Sequence, residues 1–211
     1  MHPEKKLIEV VDLVPQERYS MDVYGICGCA RVGKTTVARI ISEKLTSQGK
    51  KCLLLSFASP LKDGLGIMGI TKEENYDLYR HLAQYIGTNC IRDKYPDWWV
   101  NLMEKNIASS RKHNEDVVIV IDDIRFRNEL ELLNGYENSK RLFVYGGTGR
   151  IDLNESVYGH DSESLGVSLE KQVRDFDTIP DSIEEFDISL NVIDNRLSLE
   201  GLKTFVYDKI L

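Results

Sequence analysis

The chain has 211 residues, of which 42% are apolar and 29% charged, and a formal net charge of −7. That length fits one domain with small insertions, and the apolar share excludes a disordered chain. The acid excess argues against a basic sheath for duplex nucleic acid and leaves room for a local basic cleft that holds small anions.

Residues 1–20 are polar and mixed, and read as an N-terminal arm without the apolar core of a secretion signal. Strands and helices then alternate, which predicts a parallel sheet wrapped by helices. Residues 23–27 read as a strand. Residues 35–45 read as a helix with Val37, Ile40, Ile41 and Leu45 on one stripe. Residues 52–57 form a second strand whose unbroken apolar run suits burial on both faces. Helices are predicted over 72–86, stopped by Gly87, and over 96–109, with Pro96 at a first helical position.

The longest apolar run, residues 117–121, has the length of a buried strand and falls far short of the roughly 20 residues of a membrane span. Residues 128–133 read as a short helix and 141–145 as a strand. The glycines at 146, 147 and 149 open a polar stretch that extends to about residue 187. Residues 188–193 are a last strand and 198–211 a last helix, with Ser198 as its N-cap. The cysteines at 27, 29, 52 and 90 complete no metal-binding set and are expected as reduced thiols in a cytoplasmic chain.

The segment Gly28-Cys29-Ala30-Arg31-Val32-Gly33-Lys34-Thr35 matches the phosphate-loop pattern G-x-x-x-x-G-K-[ST] between a predicted strand and a predicted helix. Glycines let the backbone curl so that its N–H groups face phosphate oxygens, and the helix start adds partial positive charge. Gly28, Ala30, Arg31, Val32, Gly33, Lys34, Thr35 and Thr36 are therefore the expected phosphate-side residues. Lys34 brings a mobile cation to the outer phosphates, and the Thr35 hydroxyl can hold Mg²⁺.

Strand 117–121 ends in Asp122-Asp123-Ile124-Arg125. A carboxylate at the end of a buried strand beside the loop is where Mg²⁺ and its waters need an acidic partner. Asp122 is the first candidate and Asp123 the second, while one of the two could instead cap the helix that follows. Arg125 and Arg127 stand at the sheet edge where ligands bind in such folds, and an Arg fork suits a phosphate. No guanine-reading N-K-x-D is present; residues 191–194 carry Val where Lys is required.

Beyond the loop, several segments stand in a telling order: residues 56–62 with Ser56, Pro60 and Lys62, residues 80–92 with Arg80, Gln84 and Arg92, and the pair Trp98-Trp99. Residues 117–129 and the H-x-S-E stretch from His160 to Glu163 complete the series. In these segments the chain resembles the bacteriophage deoxynucleoside monophosphate kinases, a branch of the P-loop nucleoside monophosphate kinases. The resemblance implies a three-layer α/β fold of the P-loop NTPase type with a central parallel sheet. It also implies a helical acceptor-binding insertion at about 60–112 and a lid at about 146–175.

The implied activity moves the terminal phosphoryl group of ATP to a deoxynucleoside monophosphate, with Mg²⁺. Such a transfer needs charge neutralisation and alignment rather than a catalytic base, since the acceptor phosphate is already ionised at neutral pH. On this resemblance Lys34, Arg92, Arg125 and Arg150 are the catalytic candidates, and Arg80, Gln84, Arg92, Trp98 and Arg125 the acceptor-binding ones. Trp98 and Trp99 also fit core packing, and Tyr85 is a weaker stacking candidate. The lid arginine is open between Arg150 and Arg174, because Gly146 and Gly147 stand where the family tends to place it. Asn89 replaces an expected acidic residue. His160 and Glu163 fit the family pattern or a plain helix start, and residues 191–195 a place near the adenine.

Small-molecule nucleotides are the expected partners, with neither nucleic acid nor membrane, and a homodimer is compatible with the chain. Two other readings remain open here: a kinase of another small metabolite, such as one like dephospho-coenzyme A kinase, and a nucleotide-binding module without catalysis. The Arg-rich segments favour an anionic acceptor and count against the module.

Overall fold

A computed structural model describes residues 19–113, 116–146 and 161–211. Strand β1 (Tyr19–Cys27) runs into the phosphate loop and α1 (Lys34–Ser47) leaves it. Strand β2 (Cys52–Leu55) follows, then α2 (Ser59–Ile67), α3 (Tyr76–Gln84) and α4 (Trp98–His113). Next come β3 (Val118–Ile124), α5 (Arg127–Glu131) and β4 (Tyr136–Tyr145). The chain ends with α6 (Ser164–Arg174), β5 (Ser182–Glu185), β6 (Ile188–Asp194) and α7 (Leu199–Lys209).

The strands form one sheet in the order β2-β3-β1-β4-β6-β5. Every adjacent pair is parallel except β5, which returns antiparallel beside β6. Side chains alternate across the sheet, so the apolar runs feed two cores. Val23, Ile119, Ile121 and Phe143 join Met103 and Ile107 of α4 and Leu165, Leu169 and Val173 of α6. Tyr24, Ile26, Val120 and Val144 join Val37 and Ile41 of α1 and Leu202 and Val206 of α7. Each fully buried Leu, Ile or Val contributes about 1.5–3 kcal/mol relative to exposure. The result is a three-layer α/β protein of the P-loop NTPase-like class, as the alternation of elements predicts. The central place of β1, between β3 and β4, puts the phosphate loop beside the end of β3.

The structure differs from the sequence reading at three places. Helix α2 is absent from that reading because Pro60, Gly64 and Gly66 disguise it; Pro60 is tolerated because it lies in the first turn, where its missing N–H has no intrahelical partner. The third helix does not stop at Gly87. After Gln84 the chain widens into a π-helix, Tyr85–Arg92, a form often found at functional sites. Helix α6 and strand β5 lie within the stretch read as polar. The described part of the expected lid, residues 161–174, buries Leu165, Leu169 and Val173 in the core beside β4 and β5. No helix among the described residues is long and apolar enough to cross a membrane.

Candidate functional site

The phosphate loop takes its shape from Gly33, which serves as N-cap of α1 with φ at 96°. An L side chain is strained there, and a Cβ would also strike the amide of Asn195. Asn195 donates to the Val32 carbonyl at 2.5 Å, and its own N–H donates to the Tyr145 carbonyl at 3.0 Å. It thus ties the back of the loop to the ends of β4 and β6, which is where the structure places the 191–195 stretch. The Val32 side chain is buried in the apolar layer beneath the loop, and its carbonyl accepts the Asn195 amide.

The Lys34 ammonium folds back over the loop, donating to the carbonyls of Gly28 at 2.8 Å and Cys29 at 2.7 Å. Burial pushes it down to about 8; nearby Arg125 adds repulsion and Glu163 opposes the shift. A Lys held on backbone carbonyls is a cation placed at the loop before any phosphate arrives. Ala30, Arg31, Gly33, Lys34, Thr35 and Thr36 line a cavity of about 490 Å³, within the usual range for small-molecule sites.

The Thr35 hydroxyl donates to Asp122 Oδ2 at 2.8 Å. These two oxygens, one from α1 and one from β3, fit a magnesium ion carried on nucleotide phosphates. Such an ion takes most of its ligands from phosphate and water. When bound it would neutralise phosphate charge. Among the described residues no cluster of three or more His, Cys, Asp or Glu forms a self-contained metal cage.

Asp123 lies in the same cavity but has a different occupation. Its Oδ1 accepts the Phe57 amide at 2.8 Å; its Oδ2 accepts the Ser56 hydroxyl at 2.5 Å and the Ala58 amide at 3.1 Å. It fastens the turn between β2 and α2, leaving Asp122 as the residue that meets Thr35. Neither aspartate caps the following helix, whose N-cap is Phe126.

Arg80, Gln84, Arg92 and Arg125 line the same cavity as the loop, brought there by α3, the π-helix and the end of β3. Arg80 donates to the Tyr76 hydroxyl at 3.5 Å, and Arg31 of the loop donates to the same oxygen at 3.5 Å. These two contacts lower the Tyr76 pKa and link the loop to α3. Arg92 pairs with Glu129, and its guanidinium lies 3.7 Å from the Phe126 ring centroid. Arg125 pairs with Glu163. Burial works against its charge, but Glu163 and Asp123 more than offset this and raise its pKa.

Glu163 is 3% exposed, and its Oε2 also accepts the Ala30 amide at 3.0 Å. Glu163, rather than Asp161 or Ser162, is the N-cap residue of α6, and its carboxylate makes no cap bond and reaches the phosphate loop instead. Immediately after it, α6 presses on the loop. A Cβ at Gly166 would lie 2.8 Å from the Cys29 nitrogen and 2.8 Å from the Gly28 carbonyl carbon.

Other sequence candidates fall elsewhere. Trp98 is 52% exposed and outside the cavity, whereas Trp99 lines it and donates from its indole to the Gly87 carbonyl at 3.0 Å. The two rings diverge because adjacent helical residues point about 100° apart. Tyr85 is exposed and stacks on His81. Arg127 pairs with Glu131 on the surface, and Arg174 sits at the far end of α6 beside Glu170. Asn89 is exposed. Arg150 and His160 lie outside the described residues.

The sequence reading assigned no role to Tyr76, Tyr79, Lys62 or Glu129, all of which line the cavity. Glu129 carried a signal in its spacing, four residues after Arg125, which lets its carboxylate reach back to that amide.

Fold and site together define a nucleotide-binding P-loop protein. No family model matches the chain. An uncharacterized ABC transporter ATP-binding protein, MJ0412 of Methanocaldococcus jannaschii, is 27% identical over 186 residues, spanning 72% of this chain and 67% of that protein. A solved structure titled crystal structure of APE1195 is 18% identical, with a TM-score of 0.39 over 90% of this chain and 94% of that one.

Proposed function

We propose that this chain transfers the γ-phosphoryl group of ATP to a deoxynucleoside 5′-monophosphate, giving the diphosphate and ADP. The observation that carries this reading is a single cavity lined both by the phosphate loop and by Arg80, Gln84, Arg92 and Arg125. A hydrolase needs room for water beside the last phosphate; three guanidinium groups in addition to the loop's own Arg31 suit a second anion. The acceptor's phosphate is its own nucleophile, so the chain needs only to neutralise and align. Lys34, Arg92 and Arg125 serve the phosphates, Thr35 and Asp122 the metal ion. Gln84 offers both a donor and an acceptor to a base edge. The ATP-binding description of the archaeal relative agrees with ATP as the donor. The biological setting of such an activity is the supply of DNA precursors.

The test is ADP release measured against a panel of ribo- and deoxynucleoside monophosphates. Turnover that depends on a deoxynucleoside monophosphate is the expected result. Slow ADP release that no monophosphate accelerates would sink the reading and leave an ATP-binding or ATP-hydrolysing module.

A further inference from the structure

Resting on that reading, we propose that Glu129 is a positioning residue that holds Arg92 and Arg125 together for the acceptor's phosphate. Glu129 is 2% exposed and lies in the first turn of α5. Its two oxygens face different elements. Oε2 accepts the backbone amides of Arg125 at 2.8 Å and Phe126 at 3.2 Å, which fixes the chain where Arg125 leaves β3. Oε1 pairs with the Arg92 guanidinium, which arrives from the end of the π-helix.

Two further contacts frame Arg92. Its Nη1 donates to Asn128 Oδ1 at 3.2 Å, and its plane lies over the ring of Phe126. Asn128 in turn donates to the Pro96 carbonyl at 3.0 Å and to Asp97 Oδ1 at 2.9 Å, joining α5 to the turn before α4. Residues 126, 128 and 129 thus form a seat for one guanidinium and a mount for the other.

A helix cap alone needs only the bonds to the amides. The second oxygen distinguishes this carboxylate from a cap, because it engages a side chain 37 residues away that lines the nucleotide cavity. Burial raises the Glu129 pKa to about 7, while the Arg92 guanidinium and the Arg125 amide act to keep its charge, so the ion pair with the partly buried Arg92 sustains the carboxylate. Asp123 is the other acidic group acting on Glu129, and it is engaged with the turn after β2.

Glu129→Gln keeps the size and one carbonyl oxygen for the amides, and removes the charge facing Arg92. Steady-state kinetics with the best monophosphate should show its KM rising about tenfold or more, with the KM for ATP unchanged. Phe126→Leu removes the platform under Arg92, keeps the carboxylate, and should shift the same constant in the same direction; it carries the test if Glu129→Gln does not fold. Equal loss on the ATP side, or an acceptor KM that stays put in the folded variants, overturns this inference alone. A wild-type chain that uses no monophosphate overturns the functional reading and this inference with it.

Discussion

Glu163 and Arg125 form an ion pair beside the phosphate loop, and the same carboxylate accepts the Ala30 amide. A negative group therefore stands against a loop built to receive negative groups. An arriving triphosphate meets its repulsion and competes for the same donors. Glu163→Gln keeps the shape and removes the charge. It should tighten binding of ATP by roughly five- to thirtyfold, the equivalent of about 1–2 kcal/mol. Titration calorimetry with a non-hydrolysable analogue reads this directly, and weaker binding by a folded variant would show that the carboxylate helps hold the nucleotide.

The adjacent aspartates should separate cleanly. Asp122→Asn alters the oxygen that meets Thr35 and leaves the turn after β2 intact. It should abolish magnesium-dependent turnover with little change in the denaturant midpoint. Asp123→Asn sets an NH₂ group against donors that now meet a carboxylate. That should cost about 2–4 kcal/mol of stability, from lost charge-assisted bonds and an unpaired buried donor. A stable Asp123→Asn chain with lost activity would reverse the assignment.

Lys34 links pH to two measurements of opposite sign. Its pKa is pushed down to about 8 from the ordinary 10.5. In the folded chain it loses its proton as pH rises through about 8, so kcat/KM for ATP, which reports the free enzyme, should fall above that pH. The unfolded chain keeps the proton until about 10.4. Between these limits the unfolded state binds more protons, so this group's contribution to folding stability should rise with pH. Lys34→Met should flatten both trends, and profiles that stay unaltered would remove Lys34 from them.

The thiols offer a chemical check on burial. Burial pushes Cys27 and Cys29 up to about 12, so neither carries appreciable thiolate at neutral pH. Cys52 and Cys90 are partly exposed. Iodoacetamide followed by mass spectrometry should label Cys90 and Cys52 well before the other two. Early labelling of Cys29 would mean that the loop opens more readily than its packing under α6 implies.

The loop was legible because its chemistry demands particular residues at fixed spacing between a strand and a helix. The strand that ends at Asp122-Asp123 was legible for a similar reason: it is apolar throughout, as burial on both faces requires. Helix α6 was not, because Gly166 and Ser168 dilute its stripe. Its Leu165, Leu169 and Val173 nevertheless recur at helical spacing. Glycine at 166 serves contact with the loop, a demand that no local periodicity displays. Trp98 and Trp99 could not be told apart, since the facing of each ring is set by how α4 docks. Glu129 stood four residues after Arg125, and Glu163 was visible only as the end of the H-x-S-E stretch; that each meets a specific guanidinium depends on elements brought together by the fold.

The three bonds from Asp123 to the turn after β2 bear on how such a molecule can move. They make the start of α2 an extension of the sheet, a bracket bolted to the same strand that carries Asp122. Lys62, one turn into the bracket, donates to the Ser56 hydroxyl at 3.2 Å and so holds its ammonium at the same turn, at the wall of the nucleotide cavity.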